Sequence, residues 1–261
     1  MEPILEKTIL FLDFDGTLAE IRDTPEEVYL DREQWLILEK LSQKHSLFIL
    51  SGRSFQDIQK RVPRSLAGIS GDHGAIREFG KEIFIIPAAH SIKELLNTLS
   101  KALLSLKFDY PKMLLEVKDF SISIHYRNLP TDEIPGLYKK ISTIKQQIDR
   151  TNTLVETKGK SVWEYRHPDA RKEKAMSWFV EKIKEKEAPL KKIRNIFIGD
   201  DLTDWESIIW AGNSGGKGIW VGESFPYPIE TYKPEKRVNP KEIWKDLEMW
   251  SKDDTFIPFS D

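Results

Sequence analysis

The chain has 261 residues, and its 40 basic and 42 acidic side chains leave a formal net charge of −2. This near balance argues against electrostatic binding to nucleic acid or to an anionic membrane, because both need a basic surplus. Cysteine is absent, which excludes disulfides, thiolate metal sites and cysteine nucleophiles.

We expect no targeting signal in the N-terminal segment. Residues 1–7 include Glu2 and Glu6 and show no basic leader, long apolar region or small-residue cleavage site. No run of about eighteen apolar residues occurs in the sequence, so no membrane span is expected. We therefore expect a cytoplasmic protein without membrane or nucleic-acid partners. The sequence is silent on oligomeric state, and a monomer is the expectation.

Three continuous apolar runs predict strands that are covered on both faces, as in a parallel sheet. They occupy residues 8–12, 47–50 and 195–198, and each ends in a polar or glycine-containing turn. Residues 219–221 add a shorter run, and helical periods lie between the strands, for example at residues 175–183. Strands that alternate with helices imply right-handed crossovers, so we predict an α/β fold with a doubly wound parallel sheet.

The middle of the chain predicts a second kind of architecture. Period-two alternation at residues 121–126 is typical of a half-exposed antiparallel strand. Around it the patterns predict a helix at 92–103, a strand at 113–117, a helix at 137–148 and a hairpin of 153–157 with 161–165. Two helices against a small antiparallel sheet form an inserted α+β domain, which we place at residues 88–166; residues 1–87 and 167–261 then form the core.

Acidic side chains follow the first predicted strand. Asp13 and Asp15 stand there, and Gly16 lets the chain turn sharply behind them. Residues two apart in a strand project the same way, and ligands gather at the carboxyl ends of strands in open α/β sheets. A turn rich in Asp and Gly is the alternative, but it explains poorly why two acids end a buried strand.

A second acidic group follows the strand at residues 195–198. Asp200, Asp201 and Asp204 stand there, ahead of a helical pattern. N-capping of that helix is the alternative, and it accounts for one carboxylate. The five histidines show no zinc-motif spacing such as HExxH. Carboxylates at neighbouring strand ends, without thiols or paired imidazoles, form a hard oxygen site that suits Mg²⁺.

In this order the motifs resemble those of the haloacid-dehalogenase-type (HAD) phosphatase superfamily, which has a Rossmann-like core. The matching segments are DFDGT at 13–17, Ser51 after the second strand, a basic residue at Lys172 and GDDLTD at 199–204. The resemblance implies a nucleophilic Asp13 that forms an aspartyl-phosphate. It also implies that Asp15 protonates the leaving alcohol and then activates water.

The same resemblance implies which residues bind the phosphate and neutralise its charge. Ser51 would hydrogen-bond a phosphate oxygen, and Lys172 would neutralise charge on the phosphoryl group. Mg²⁺ is the implied cofactor. Its implied ligands are Asp13, the Asp15 carbonyl and Asp200, supported by Asp201 and Asp204.

A GxSxG pattern at residues 212–216 is a different candidate, because it matches the nucleophile elbow of serine hydrolases. An elbow follows a strand and opens a helix, whereas this segment follows a predicted helix and precedes the strand at 219–221. No histidine follows Ser214 in the sequence. We therefore interpret the segment as a plain helix-to-strand connection.

The inserted domain resembles the cap of trehalose-6-phosphate phosphatases, and the likeness extends over most of the chain. It rests on Glu116-Val-Lys118, on His125-Tyr-Arg127 and on a later segment with Gly159-Lys160 and Glu164. Alternating carboxylates and cations suit a neutral polyol, which offers both donors and acceptors; a salt-bridged, exposed sheet face is the alternative. The residues that the resemblance implies for substrate binding are Glu116, Lys118, Arg127, Lys160 and Glu164, to which we add Arg53.

The sequence departs from the family pattern beside these motifs. Trp205 replaces an acid, and Arg171 and Glu173 flank Lys172 where a small polar residue and a glycine are usual. Lys174 is therefore an alternative phosphate lysine. The leading hypothesis is hydrolysis of trehalose 6-phosphate, with the cap closing over the site to exclude water. The alternative functions are a phosphatase of sucrose phosphate or of mannosyl- or glucosyl-3-phosphoglycerate, and a catalytically silent sugar-phosphate sensor.

Overall fold

The computed structural model describes residues 6–22, 24–159, 161–187 and 192–253. Contacts divide the chain into two compact units. The first unit runs up to Phe84 and resumes at Lys172, and the second unit is Ile85–Arg171. The sequence predicts the inserted domain at 88–166.

The described residues form strands and helices that are numbered here along the chain. The strands are β1 (Glu6–Leu12), β2 (Ser46–Leu50), β3 (Gly68–Gly71), β4 (Ile76–Phe79), β5 (Glu82–Ile85), β6 (Leu114–Val117), β7 (Ser121–His125), β8 (Val155–Gly159), β9 (Val162–Arg166), β10 (Lys192–Gly199), β11 (Lys217–Val221) and β12 (Glu235–Arg237). The helices are α1 (Arg32–Ser42), α2 (Phe55–Ile58), α3 (Ala88–Leu104), α4 (Ile134–Ile148), α5 (Lys172–Lys186), α6 (Trp205–Asn213) and α7 (Pro240–Lys252). Short 3-10 turns lie at 25–27, 72–74, 105–108 and 202–204.

The larger sheet has the strand order β12-β11-β10-β1-β2-β3-β4-β5 among the described residues. The strands from β12 to β3 in that order are parallel to their neighbours, and β4 is antiparallel to β3. The carboxyl ends of β1, β2 and β10 therefore meet at one edge of the sheet. The α/β fold with a parallel sheet, predicted from the apolar runs, is confirmed.

Both faces of this sheet are covered. Ile9, Phe11 and Phe197 point to one face and pack with α5 and α6. Leu10 and Leu12 point to the other face and are also fully buried. Continuous apolar runs are required because each strand buries the side chains on both of its faces.

The second unit has a four-stranded antiparallel sheet in the order β6-β7-β9-β8. One face of this sheet packs with α3 and α4 through Ile122, Ile124 and Trp163. The register sets Glu116 beside Ser123 and Ser123 beside Glu164, which gives the opposite face a row of polar side chains. In neither unit does a described helix combine the length and the apolar character that a membrane crossing needs.

Candidate active site

Three buried carboxylates meet at the carboxyl edge of the larger sheet. Asp13 follows β1 and Asp200 follows the neighbouring β10, while Asp204 ends the 3-10 turn after β10. One carboxylate oxygen from each of the three lies within 4.8 Å of the others. The backbone N–H of Asp13 donates to the Ile198 carbonyl at 2.9 Å, so the β1–β10 ladder extends to the base of this acidic cluster. The acidic cluster is defined here as Asp13, Asp200 and Asp204.

Lys172, the first residue of α5, lies between two of these carboxylates. Its Nζ donates to Asp13 Oδ1 and to Asp204 Oδ1, both at 2.5 Å, and the side chain is buried. Burial alone would lower the pKa of Lys172, but the charges of Asp13 and Asp204 raise it well above its usual value. Lys174 is exposed. Of the two lysines, Lys172 is therefore the one that contacts the cluster.

The acidic cluster brings three carboxylates together, and Lys172 contacts two of them. Burial raises the pKa of Asp13 well above its usual range, the charges of Asp204 and Asp200 add to this, and Lys172 opposes it. Repulsion among buried carboxylates is relieved by a cation or a shared proton. The ligand atoms available are hard carboxylate oxygens, which fit Mg²⁺ well.

Gly16 and Thr17 lie against the Asp200 carboxylate. Gly16 has a φ of +85°, and a Cβ there would lie 2.2 Å from Asp200 Oδ2, so a larger residue would collide with the cluster. The buried Thr17 donates its hydroxyl to Asp200 Oδ1 at 3.3 Å. Glycine at residue 16 is thus required both by the backbone conformation and by the space that Asp200 occupies.

The remaining acids of the GDDLTD segment have separate contacts. Asp201 accepts the N–H of Thr203 at 3.1 Å and caps the 3-10 turn. Asp204 Oδ2 accepts the N–H groups of Asp200 and Asp201 at 3.2 and 3.1 Å. Asp204 therefore fixes the loop with one oxygen and contacts Lys172 with the other. The capping alternative named the helix α6, but Asp201 caps the 3-10 turn, and Asp204, the N-cap residue of α6, makes no side-chain cap hydrogen bond.

Asp15 lies outside the acidic cluster and pairs with Arg53. Arg53 Nε donates to Asp15 Oδ2 at 2.7 Å, and Arg53 Nη2 donates to Asp15 Oδ1 at 2.6 Å. This bidentate contact holds both oxygens of the carboxylate. The sequence predicts Arg53 as a substrate-binding residue; in the structure its guanidinium binds the carboxylates of Asp15 and Asp57.

Ser51 is buried at the end of β2 and is held by its neighbours. Its Oγ accepts the Arg53 N–H at 3.1 Å, and its carbonyl accepts the His73 N–H at 3.0 Å. A Cβ on Gly52 would lie 2.5 Å from the His73 ring, so the Ser51–Arg53 turn packs directly against that histidine. His73 itself has a φ of +53°, which is unusual for a residue with a side chain.

A second polar group lies on the sheet of the second unit and is called here the cap cluster: Glu116, Lys118, Ser123, His125 and Glu164. Lys118 Nζ lies 3.3 Å from Glu164 Oε1 and 3.9 Å from Glu116 Oε2. Ser123 donates to Glu164 Oε1 at 3.1 Å, and His125 Nε2 lies 3.0 Å from Glu116 Oε2. Burial would raise the pKa of Glu116, but Lys118 and His125 together hold it below its usual range. Carboxylates and cations therefore share one face of the sheet.

The sequence predicts two further sugar-binding residues, Arg127 and Lys160. Arg127 follows β7 and is exposed. Lys160 lies outside the described residues. The substrate-binding role of both stays a prediction.

The motifs of both clusters fall within the match to one known protein family. The sequence model of the family described as Trehalose-phosphatase matches residues 11–220. The chain belongs to the trehalose-phosphatase family. The match runs from β1 to β11 and includes both the acidic cluster and the cap cluster.

Relatives with trehalose-phosphatase names are similar along most of the chain. The trehalose-6-phosphate phosphatase of Escherichia coli K12 is 27% identical over 259 residues, which cover 95% of this chain and 90% of that protein. A trehalose-phosphate phosphatase of Mycobacterium tuberculosis is 29% identical over 224 residues, which cover 81% of this chain. This chain spans 53% of that mycobacterial protein and 16% of another, an uncharacterized glycosyl hydrolase that is 30% identical over 216 residues.

A solved structure supports the fold of this trehalose-phosphatase family member. A crystal structure of a trehalose-6-phosphate phosphatase related protein matches with a TM-score of 0.76 at 24% identity, covering 94% of this chain and 97% of that chain.

Four contacts in this trehalose-phosphatase family member involve residues to which the sequence analysis gave no such role. Asp57 binds Arg53, Thr17 binds Asp200, and Ser123 and His125 belong to the cap cluster. Asp57 stands four residues after Arg53, but Arg53 precedes α2 and its N-cap Ser54, so the helical spacing rule does not predict this pair. The other three contacts depend on strand register and loop packing, which the sequence does not show.

Proposed function

We propose that this chain hydrolyses trehalose 6-phosphate to trehalose and inorganic phosphate, using Mg²⁺ and an aspartyl-phosphate intermediate. The observation that carries the proposal is the contact of Lys172 with Asp13 and Asp204 beside Asp200, in a chain of the trehalose-phosphatase family. Such a site gathers a nucleophile with the charge neutralisation that phosphoryl transfer needs.

In the first half-reaction, a carboxylate oxygen of Asp13 attacks phosphorus and the bond from phosphorus to the sugar oxygen breaks. The sugar oxygen takes a proton from the Asp15 carboxyl group, so trehalose leaves as a neutral alcohol. Asp13 now carries the phosphoryl group as a mixed anhydride. General-acid help of this kind typically contributes about 10²–10⁴-fold.

In the second half-reaction, water attacks the phosphorus of the aspartyl-phosphate. The water proton passes to the Asp15 carboxylate, the bond from phosphorus to Asp13 breaks, and inorganic phosphate leaves. Asp13 returns as a carboxylate and Asp15 as a carboxylic acid, so the cycle closes without any other reactant.

The surrounding residues bind and neutralise the phosphoryl group. Asp13 and Asp200, with the Asp15 carbonyl, would hold Mg²⁺, which when bound supplies positive charge to the phosphate oxygens. Asp204 would support this site through its contacts with Lys172 and the loop after β10. Asp201 would support this site through the loop that it caps. Lys172 adds a fixed ammonium, and Ser51 a hydroxyl at the end of β2.

We propose that the cap cluster, with Arg127 and Lys160, recognises the sugar. Glu164 and Lys118 are largely buried, with 6% and 8% of their side chains exposed, while Glu116 is 43% exposed. Hydroxyl groups of a disaccharide can donate to the carboxylates and accept from the lysine. A site that is built to hydrogen-bond hydroxyls discriminates strongly against esters that lack them.

Phosphate release from a panel of esters tests this function. The panel contains trehalose 6-phosphate, sucrose 6-phosphate, mannosyl- and glucosyl-3-phosphoglycerate, each with Mg²⁺ and with EDTA. Magnesium-dependent turnover with the highest kcat/KM for trehalose 6-phosphate is the expected result. A higher kcat/KM for another ester would replace the substrate, and tight binding without turnover of any ester would make the chain a sensor.

A further inference from the structure

A line of four alternating charges begins at Asp15 and leads away from the acidic cluster. Arg53 holds both oxygens of Asp15, and its Nη1 donates to Asp57 Oδ2 at 2.8 Å. Arg61 then contacts both oxygens of Asp57 through Nε at 2.9 Å, and through Nη2 at 2.8 Å to Oδ1. Each of the two inner groups, Arg53 and Asp57, is therefore shared between two opposite charges.

The far end of this line is anchored in the protein. Arg61 has only 4% of its side chain exposed, and its Nη1 donates to the Val28 carbonyl. The Arg61 guanidinium also lies 4.3 Å from the centre of the Tyr29 ring. Val28 and Tyr29 belong to the segment between β1 and α1, so Arg61 ties that segment to the region after β2 that carries Arg53.

Asp57 stands where it can orient the Arg53 guanidinium. The guanidinium is planar, so a contact that fixes Nη1 also sets the directions of Nε and Nη2, which bind Asp15. Asp57 lies on α2, whose N-cap Ser54 accepts the Asp57 N–H at 3.3 Å. Burial would raise the pKa of Asp57, but hydrogen bonds from Arg61 and Arg53 hold it below its usual range. The Asp57 carboxylate thus stays charged.

We propose that Asp57, held by Arg61, is a positioning residue that sets the orientation of Asp15 through Arg53. The inference rests on the proposed function, in which Asp15 donates a proton to the leaving oxygen and later takes one from water. Asp57 contacts neither phosphate nor sugar in this scheme. It acts by keeping the Asp15 carboxyl group aimed at the oxygen that leaves.

Leaving-group dependence separates this role from a structural one. Phenyl phosphate and 4-nitrophenyl phosphate differ little in size and carry no sugar. Phenol is the weaker acid, so its departure depends more on proton donation, whereas 4-nitrophenolate leaves readily without it. A misoriented Asp15 therefore slows the phenyl ester selectively, and a loss of folded protein slows both esters equally.

The experiment measures kcat/KM for both aryl esters with the wild type and with Asp57→Asn. We expect the variant to lose at least about 10-fold on phenyl phosphate and less than about 3-fold on 4-nitrophenyl phosphate, a part of the usual contribution of a general acid. The matched control is Asp246→Asn, which removes an Asp–Arg pair of similar length, 2.7 Å to Arg237, on α7. The control should change both kcat/KM values by less than about 2-fold, as a pair remote from the chemistry does.

A second variant guards against a folding defect. Asp57→Asn alone leaves Arg61 buried without its carboxylate, whereas Asp57→Asn combined with Arg61→Met removes both partners and avoids an unpaired charge. The double variant should fold and show the same selective loss on phenyl phosphate. Equal losses on both esters, or no loss in either variant, would overturn the positioning role while leaving the proposed function intact. A wild-type protein that hydrolyses no phosphate ester would overturn both.

Discussion

The acidic cluster and the cap cluster both collect charged side chains, but they balance their charges differently. The acidic cluster has three buried carboxylates and contacts one ammonium, Lys172, at 2.5 Å. The cap cluster has two carboxylates, Glu116 and Glu164, which contact Lys118 and His125 at 3.0–3.9 Å. Buried carboxylates close together call for a cation or a shared proton, whereas a face on which carboxylates, a lysine and a histidine are already hydrogen-bonded can exchange those bonds for a neutral ligand.

Burial differs between the two clusters as well. Asp13, Asp200 and Asp204 are each at most 5% exposed. In the cap cluster the buried Glu164 lies beside more open groups, with the His125 side chain 30% exposed and that of Glu116 43% exposed. The first arrangement suits chemistry in a site of low dielectric, and the second suits a ligand that exchanges hydroxyl contacts for water contacts.

Asp13→Asn should give the largest effect. We expect phosphate release to fall by at least about 10⁴-fold, since an amide cannot replace a catalytic nucleophile. Binding of trehalose 6-phosphate, measured by calorimetry, should persist. Asp201→Asn is the control from the loop after β10, because the Asp201 side chain caps a 3-10 turn. The variant loses a cap, which lowers stability, and keeps the nucleophile, so phosphate release should fall by less than about 10-fold. A near-wild-type rate for Asp13→Asn would remove Asp13 as the nucleophile.

Removal of Mg²⁺ tests whether the acidic cluster binds a cation. EDTA should abolish turnover, and added Mg²⁺ should restore it. The same addition should raise the Tm of the wild type, because a ligand at about 100 times its Kd stabilises the folded state by about 2.7 kcal/mol. Asp200→Asn should lose this Tm shift, and Glu164→Gln should keep it. A Tm that ignores Mg²⁺ in the wild type would contradict a metal site in the acidic cluster.

Glu164→Gln tests the role of the cap cluster. The variant removes the charge that Lys118 and Ser123 contact, so kcat/KM for trehalose 6-phosphate should fall by about 10–100-fold, as expected for a lost charged hydrogen bond. Hydrolysis of 4-nitrophenyl phosphate should change by less than about 3-fold, because that ester needs no sugar contact. Glu156→Gln is the control, since Glu156 accepts from Tyr138 and Tyr165 at 3.0 and 2.9 Å in the same sheet. Equal losses on both esters in Glu164→Gln would mean that the cap cluster does not recognise the sugar.

Glu116→Gln should give the smallest effect, and it concerns stability and pH. Lys118 and His125 hold the pKa of Glu116 in the folded protein below its value in the unfolded chain, which is about 4.3. At a pH above about 4.3 the Glu116 carboxylate therefore stabilises the folded state. This stability is lost as the pH falls through the depressed folded pKa. At pH 7 the variant should be less stable by under about 1 kcal/mol, because the pair is partly exposed. Thermal unfolding from pH 7 to pH 3 should show the difference shrinking towards zero; a constant difference would contradict the assignment.

The core strands could be predicted because their sequence carries a strong signal. Residues 8–12, 47–50 and 195–198 are apolar except for Thr8 and Asn195, which begin their runs, and they lie within β1, β2 and β10. The strands that the sequence does not predict are β3 to β5 and β12. Gly68–Gly71 contains no apolar run, and a Cβ on Gly68 would lie 2.3 Å from the Glu78 carbonyl, so this strand is defined by close backbone packing.

The candidate site could be predicted only as far as strand ends determine it. Asp13 and Asp200 follow neighbouring strands and do approach each other, within 4.8 Å with Asp204. Which lysine joins them was left open between Lys172 and Lys174, because both stand at the same helix start and only the helix rotation separates them. The bond of Asp15 to Arg53 also depends on how two loops pack, and no local pattern encodes that.

The pairing of β1 with β10 has a consequence during protein synthesis. The register runs from Glu6 with Lys192 to Leu12 with Ile198, so the strand that leads to Asp13 completes its ladder only after most of the chain has been translated. Until then β1 can pair with β2 alone, and its other side is an open row of backbone donors and acceptors. In a nascent chain the edge of β1 therefore stays without its β10 partner until residues 192–198 have emerged, and an unpaired apolar strand edge of this kind is prone to aggregation.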